Sequence, residues 1–344
     1  MQYRMLGDTG VQVSNLCLGT MMFGGMNNAD HDDCVDIIHT ALDAGINFVD
    51  TADVYSQGES EEIVGKAIKG RRDDIVLATK FQGQMGDERN HRGASRRWIV
   101  AEVESSLRRL GTDHIDLYQL HRPNPGTNIE ETLGALTDLV RQGKVLYVGH
   151  SAFQASQIVE TQWAARDRHL VRPVSEQLSY SLLVRTPEVD VLPTALRHHL
   201  SVICYSPLAG GWLSGKWRKN ATETPTASAG RNGGGIFTHR YDLDDPANAP
   251  KLDAADALAM LAEANGLTLV ELAIAFVVNH PAVTSAIIGP RTMEQLTTQL
   301  GAGDITLSSE VLDGIDEIVA PGTTPNPFDS AYVNPALTPE GLRR

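Results

Sequence analysis

The chain has 344 residues, with 29 basic and 43 acidic side chains and a formal charge of −14. With 42% apolar and 21% charged residues it has an ordinary globular composition, which argues against wholesale disorder. The negative charge argues against a nucleic-acid partner, which needs clustered Lys and Arg, although a local basic patch could still hold a small phosphorylated ligand.

The opening residues carry no apolar stretch of the signal-peptide kind, and no run of 18 apolar residues is present. Cys17, Cys34 and Cys204 are odd in number and widely spaced, so they form neither a disulfide framework nor a zinc pattern. The expectation is a reduced, cytoplasmic protein acting on a small molecule, with no membrane or nucleic-acid partner. A homo-oligomer is left open.

The first element is a hairpin over residues 1–14, in which 3–6 and 11–13 flank Gly7-Asp8-Thr9-Gly10. Short apolar runs then alternate with helical patterns. Strands are expected over 16–18, 47–50, 75–79, 115–120, 145–149, 174–176, 201–204 and 285–288. They are mostly apolar rather than alternating, as strands buried on both faces should be. Helices are expected over 33–44, 60–68, 98–110, 132–141, 155–168, 189–198, 254–264 and 292–300. Eight strand–helix alternations predict an α/β fold of the (β/α)8 TIM-barrel type, taken as one unit over 1–344. The alternative, a doubly wound sheet, would want G-x-G-x-x-G after its first strand, and Gly19…Gly24-Gly25 has the wrong spacing. Residues 206–250 form a long Gly-, Pro- and Asn-rich loop that includes Gly233-Gly234-Gly235. The tail over 321–344 has Phe328 and Tyr332 as candidate docking points.

In such a barrel the chemistry lies where the strands end. The strand ends here supply Asp50 (followed by Tyr55), Lys80, His121, Ser151, Gln177 and Tyr205-Ser206. Each has a bland reading alone: Asp50 as a helix cap, Lys80 as a solvated end, Tyr55 as a loop aromatic, His121 as a rim histidine. Together they form a coherent set. An Asp50–Lys80 ion pair can bias Tyr55, and a nearby cation should lower the pKa of the phenol and make it a better proton donor. His121 could polarise a carbonyl oxygen or relay a proton.

At this point the chain resembles an aldo-keto reductase over nearly its full length. The matching stretches are Gly19-Thr-Met-Met-Phe-Gly24, Asp43-Ala-Gly-Ile-Asn-Phe-Val-Asp-Thr-Ala-Asp-Val-Tyr55 and Ala78-Thr-Lys80. They continue with Leu107-Arg-Arg-Leu-Gly-Thr-Asp-His-Ile-Asp-Leu-Tyr-Gln-Leu-His121, Gly143-Lys-Val-Leu-Tyr-Val-Gly149, Gln177…Tyr180-Ser-Leu-Leu183, Tyr205-Ser-Pro-Leu208 and Ile288-Gly-Pro-Arg291. Gly210-Gly-Trp-Leu-Ser-Gly-Lys216 resembles the bacterial sugar-reductase-like and potassium-channel β-subunit-like branch.

The resemblance implies a catalytic tetrad of Asp50, Tyr55, Lys80 and His121, with Tyr55 as general acid. It implies NADPH, with NADH as the other candidate cofactor, bound without a Rossmann domain. Gly19, Thr20 and Met21 would border the cofactor. Ser151 and Gln177 would hold the nicotinamide carboxamide, and Tyr205 would stack on the ring. Ser206, Leu208, Gly210 and Lys216 would line the pyrophosphate, and Pro207 and Leu213 would also contact the cofactor. Gly289, Arg291, Gln295 and Gln299 would hold the adenosine end, where a guanidinium suits a 2′-phosphate. This chain departs from the pattern at Ala152, where Asn is usual and can bond the carboxamide. It departs again at Gln299, where Asn is usual, and at Pro290.

The expected activity is NADPH-dependent reduction of an aldehyde or ketone. Two other readings compete: an NADPH-sensing regulatory subunit with little turnover, and a metal-dependent hydrolase using Asp50, Asp53 and His121. The second lacks an H-x-H ligand set, and Lys80 would compete for the carboxylate. Trp163 is expected to pack on the barrel, and Trp212 and Trp217 to shape the pocket. Met21, Met22, Phe23 and Met26 are expected to wall the substrate. Sugar-like, quinone and small ketoaldehyde substrates all fit.

Overall fold

A computed structural model describes residues 1–25, 27–219 and 238–329. Met26, Gly233 to Gly235 and Tyr332 therefore lie outside the described residues.

Strands β1 (Tyr3–Met5) and β2 (Gln12–Ser14) pair antiparallel as the N-terminal hairpin. Eight parallel strands follow: β3 (Leu16–Gly19), β4 (Phe48–Asp50), β5 (Val76–Phe81), β6 (Ile115–Leu120), β7 (Val145–Ser151), β8 (Ser175–Ser179), β9 (Ser201–Tyr205) and β10 (Val283–Ile288). They close into a barrel in chain order, with β10 pairing both β9 and β3. The expected (β/α)8 architecture is therefore the observed one. The strands reach further than the apolar runs suggest. β5 runs past Lys80 to Phe81 and β8 past Gln177 to Ser179, so both polar side chains sit within strands.

The helices start where short polar side chains satisfy the free N–H groups of a first turn. Asp30 caps α1 (His31–Asp43), Ser95 caps α3 (Arg96–Leu110) and Asn128 caps α4 (Ile129–Arg141). Helix α2 spans Glu59–Ala67, α5 Ala155–Asp167, α6 Val191–Arg197, α7 Ala249–Ala264 and α9 Met293–Leu300. Two further helices, α8 (Leu269–Asn279) and α10 (Ser309–Ile318), were not anticipated. Among the described residues no single helix is long and apolar enough to cross a membrane.

Side chains on a strand alternate between the barrel interior and the helix layer. Cys17, Phe48, Val76, Ala78, Leu117, Ile203 and Ile287 fill the lower interior, and Leu6 and Val13 of the hairpin plug it from below. Gly7 N–H donates to Ser201 Oγ at 2.7 Å, which ties the plug to the start of β9. The alternate positions pack outward into the main core against the helices. Burial thus closes the N-terminal end and the flanks, leaving the C-terminal rim for polar groups. Trp163 departs from expectation: it is 62% exposed, because α5 turns Ile158, Thr161, Gln162 and Ala165 inward instead.

Candidate active site

Period-two alternation carries the interior stacking upward into a polar layer. One step above Phe48 is Asp50, above Ala78 is Lys80, and above Leu117 is Gln119. Gly149 stands beside Gln119 in register, and a Cβ there would meet Ser175 Oγ at 2.2 Å and Gln119 Cγ at 3.2 Å. The missing side chain is what makes room for Gln119 to lie across the barrel.

Lys80 is fully buried, and all three of its ammonium protons are used. Nζ donates to Asp50 Oδ1 at 2.5 Å, to the Thr51 carbonyl at 2.8 Å and to the Tyr55 hydroxyl oxygen at 3.2 Å. The other carboxylate oxygen of Asp50 accepts from Gln119 Nε2 at 3.2 Å and Gln177 Nε2 at 2.8 Å. Because Lys80 donates to the phenol oxygen, the phenol proton must point elsewhere. Tyr55 and His121 are both half-buried, with ring centroids 5.8 Å apart in an edge-to-face arrangement. Three of the four expected residues thus meet through Lys80, and His121 stands beside them.

Tyr55 is held by an unusual turn. Ser56 and Gln57 have φ of 48° and 56°, and Gly58 follows at 97°. Consecutive left-handed residues are costly for side-chain-bearing positions and persist where the surroundings over-determine them. Here the Tyr55 N–H reaches the Ala52 carbonyl and Ser56 Oγ donates to the Phe23 carbonyl.

The electrostatics correct one expectation. Burial is the largest influence on Tyr55 and outweighs the pull of Lys80, so the phenol is held above its usual range rather than below it. It therefore stays protonated at neutral pH. Burial also opposes the charge on Lys80, but Asp50 and Tyr55 together more than offset it and hold the ammonium above its usual value. Burial, then Lys80 and Arg122, hold His121 well below the ordinary histidine range. Its imidazole is neutral, an N–H donor without a positive charge.

The next loop is built on a buried pair. Glu176 accepts from Phe153 N–H at 3.0 Å and pairs with His150 Nδ1, while the His150 ring stacks on Phe153 at 4.5 Å. This fixes the turn that carries Ser151 and Ala152. Ala152 has φ of 59°, a conformation that asparagine tolerates better than alanine. Gln177 Nε2 is already engaged by Asp50, which leaves its carbonyl oxygen to meet an outside donor.

Tyr205 is half-buried at the end of β9, and the turn after it is rich in left-handed residues: Ser206, Ala209, Gly210, Gly211 and Gly215. The N–H groups of Ala209, Gly211, Trp212, Leu213 and Ser214 bond to carbonyls of the same turn, which holds it in this shape. Ser206, Gly210 and Lys216 are exposed there. Trp212, Trp217 and Tyr241 stack beneath the turn, and the Tyr241 hydroxyl donates to the Gly210 carbonyl at 2.8 Å. The two tryptophans are thus core supports of the turn. Lys251 lies 4.5 Å over Trp212 and pairs with Asp329 at 2.8 Å. The start of the tail therefore docks through Asp329 and Asn326, while Phe328 is 68% exposed.

The remaining expected contacts differ in what they can offer. The side chains of Thr20, Pro207 and Leu213 are buried, with Thr20 bonded to Ser60. Only their backbones could face a ligand. A side chain on Gly19 would meet Ile287 Cγ2 at 2.4 Å. Met21 and Met22 are half-buried, whereas Phe23 is fully buried in the core and not on the substrate wall. Gly289 faces open space, with Met22 Cγ the nearest atom to a built Cβ at 4.0 Å. Gln295 Oε1 accepts from Arg291 N–H at 2.8 Å, and Asn28 Nδ2 donates to the Arg291 carbonyl at 2.9 Å. Gln299 Oε1 is buried without a partner, a vacancy that suits an amino donor.

Gln119, Glu176 and Arg122 were not anticipated. Gln119 could have been found from alternation along 115–120, which puts it on the same face as Leu117. Among the described residues no three His, Cys, Asp or Glu side chains converge as metal ligands.

Comparison with known proteins places this geometry in a family. The aldo/keto reductase family model matches residues 15–320. An uncharacterized oxidoreductase of Bacillus subtilis (strain 168), YrpG, is 40% identical over 92% of this chain and 96% of its own. A probable voltage-gated potassium channel subunit beta of Arabidopsis thaliana is 37% identical over 93% and 97%. The aldo-keto reductase YhdN of B. subtilis is 34% identical over 99% and 100%. With a closed parallel barrel, a buried Asp50–Lys80 pair beneath Tyr55 and a match that spans the barrel, the chain belongs to the aldo/keto reductase family.

Proposed function

We propose that this protein reduces aldehydes or ketones to alcohols with NADPH, using Tyr55 as the proton donor. The observation that carries the reading is the direction of one hydrogen bond: Lys80 donates to the Tyr55 oxygen, which turns the phenol proton away from the ion pair. A substrate carbonyl oxygen at the half-buried phenol would receive that proton. Neutral His121, beside it, would donate an N–H to the same oxygen. As the phenol loses its proton, the adjacent ammonium stabilises the phenolate, and Asp50 holds the ammonium in place.

The residues present fit the cofactor. Ser151, the Gln177 carbonyl oxygen and the Tyr205 ring would take the nicotinamide end. The left-handed turn after Tyr205, with Lys216, would take the pyrophosphate. Arg291 and Gln295 would take the 2′-phosphate, and the unpartnered Gln299 oxygen would accept from the adenine amino group. When bound, the reduced nicotinamide supplies the hydride for the carbonyl carbon.

Tyr55→Phe tests this reading. It removes the transferred proton and keeps the ring, so kcat for 4-nitrobenzaldehyde should fall by about 10²- to 10⁴-fold. NADPH binding, followed by protein fluorescence, should change little. A variant that keeps most of its turnover would overturn the assignment of Tyr55.

A further inference from the structure

We propose that Arg122 makes this site select carbonyl substrates that carry a carboxylate. The inference rests on the carbonyl-reductase reading and names its substrate class.

Arg122 follows His121 at the rim and is exposed. Its Nη1 donates to the His121 carbonyl at 3.3 Å and to Ser151 Oγ at 3.5 Å, and the guanidinium carbon lies 5.7 Å over the Tyr205 ring. These two hydrogen bonds are long, and among the described residues no carboxylate pairs with it.

The Lys80 ammonium is cancelled by Asp50, whose second oxygen is taken by Gln119 and Gln177. Tyr55 and His121 are neutral there. Arg122 is left as an uncompensated charge at the mouth of a site in a protein of net charge −14. Its field is felt at Tyr55, His121 and Tyr205 alike. A guanidinium fork matches a carboxylate with two parallel hydrogen bonds, which a neutral substrate cannot use.

The cofactor is the other source of anionic groups, but its phosphates belong with Lys216 and Arg291. Arg122, by contrast, bonds the His121 carbonyl and Ser151 Oγ and lies over the Tyr205 ring, and Ser151 and Tyr205 are the residues assigned to the uncharged nicotinamide. A ring seated between those two would push the guanidinium toward the open mouth, where substrate enters.

The test compares 4-carboxybenzaldehyde with 4-nitrobenzaldehyde, which are similar in shape and differ in charge. kcat/KM for both is measured with the NADPH-loaded protein as wild type, Arg122→Gln and Arg122→Lys. The carboxy-to-nitro ratio should fall about tenfold or more in Arg122→Gln, mainly through KM, and be partly kept in Arg122→Lys. In the wild type, added salt should lower kcat/KM for the carboxylate and leave the nitro compound nearly unaffected. A ratio unchanged in Arg122→Gln overturns the proposal, whether or not both substrates slow together. So does a tenfold loss of NADPH affinity at constant ratio, which would hand Arg122 to the cofactor. Turnover of the nitro compound reports the reductase reading separately: if the wild type reduces it and shows no salt-sensitive use of the carboxylate, only the substrate class fails.

Discussion

Lys80 shows how much a single buried charge is asked to hold. Its three protons satisfy Asp50, Thr51 and Tyr55, and none reaches water. Lys80→Met would leave the buried Asp50 carboxylate facing only two amides, at a cost of about 3–5 kcal/mol of stability together with loss of turnover. Adding Asp50→Asn to Lys80→Met should recover much of that stability without activity, measurable by urea unfolding. His121 makes a second prediction. Its folded pKa is depressed, so below about pH 6.5 the unfolded chain takes up a proton that the folded chain does not. This group therefore lowers stability as pH falls, and His121→Asn should lose less stability than the wild type between pH 7 and pH 5. Asp50, Lys80 and His121 are legible as polar groups ending apolar runs, with Tyr55 in the segment just after Asp50. The sense of the Tyr55 shift is not, because it depends on burial outweighing a neighbouring charge, and burial is a property of the folded site.

At the scale of elements, the polar layer behind β5 and β6 supports the turn that carries Tyr55. Glu61 of α2 accepts from Thr79 at 2.6 Å and from Arg109 of α3, which also bonds Glu102 and Ser106. Asp53 faces the same cluster, with Oδ1 taken by Val54 N–H at 2.7 Å and Oδ2 buried without a partner. The Tyr118 hydroxyl is likewise buried and unpartnered. Burial, then Glu102 and Glu61, push the Asp53 carboxyl well up, against only Val54 N–H and Arg109. A raised folded pKa means stability that is present below the unfolded value near 4 and is lost as pH rises through the folded one. Asp53→Asn should therefore flatten the decline of thermal stability from pH 5 to pH 8, and at pH 8 should be no less stable than wild type. An equal decline in the variant would place the titration elsewhere. Element prediction failed for a related physical reason at α8, which buries Leu269, Leu272 to Val278 on all sides and so shows no polar stripe. Its capping pair, Thr268 and Glu271, was the signal that remained in the sequence. Trp163 failed the other way: a large aromatic reads as core, yet this helix turns smaller residues to the barrel.

For the whole molecule, closure of the barrel turns scattered strand ends into one rim. The order of strands and the N-terminal hairpin follow from apolar runs and turns that are visible in the sequence, whereas the hairpin's place as the plug of the floor shows only in the fold. The backbone shape of 206–216 and the pairing of Glu176 with His150 are not visible there, since they depend on strands brought side by side. The net charge of −14 gives the cofactor reading a consequence of its own. If Arg291 reads the 2′-phosphate, affinity for NADPH should weaken with added salt more steeply than affinity for NADH. Arg291→Gln should bring the two slopes together in a fluorescence titration. Equal slopes in the wild type would place the 2′-phosphate away from Arg291. Similarity to both reductases and proteins named as channel β subunits leaves turnover as the property that separates an enzyme from a cofactor sensor. The most direct measurement mixes the wild-type protein with about a tenfold molar excess of NADPH and an excess of 4-nitrobenzaldehyde, following the near-ultraviolet absorbance of the reduced nicotinamide. A proton-donating Tyr55 in a working site predicts that all the NADPH is consumed over repeated cycles. Consumption that stops at one equivalent per chain, or does not begin, would contradict it.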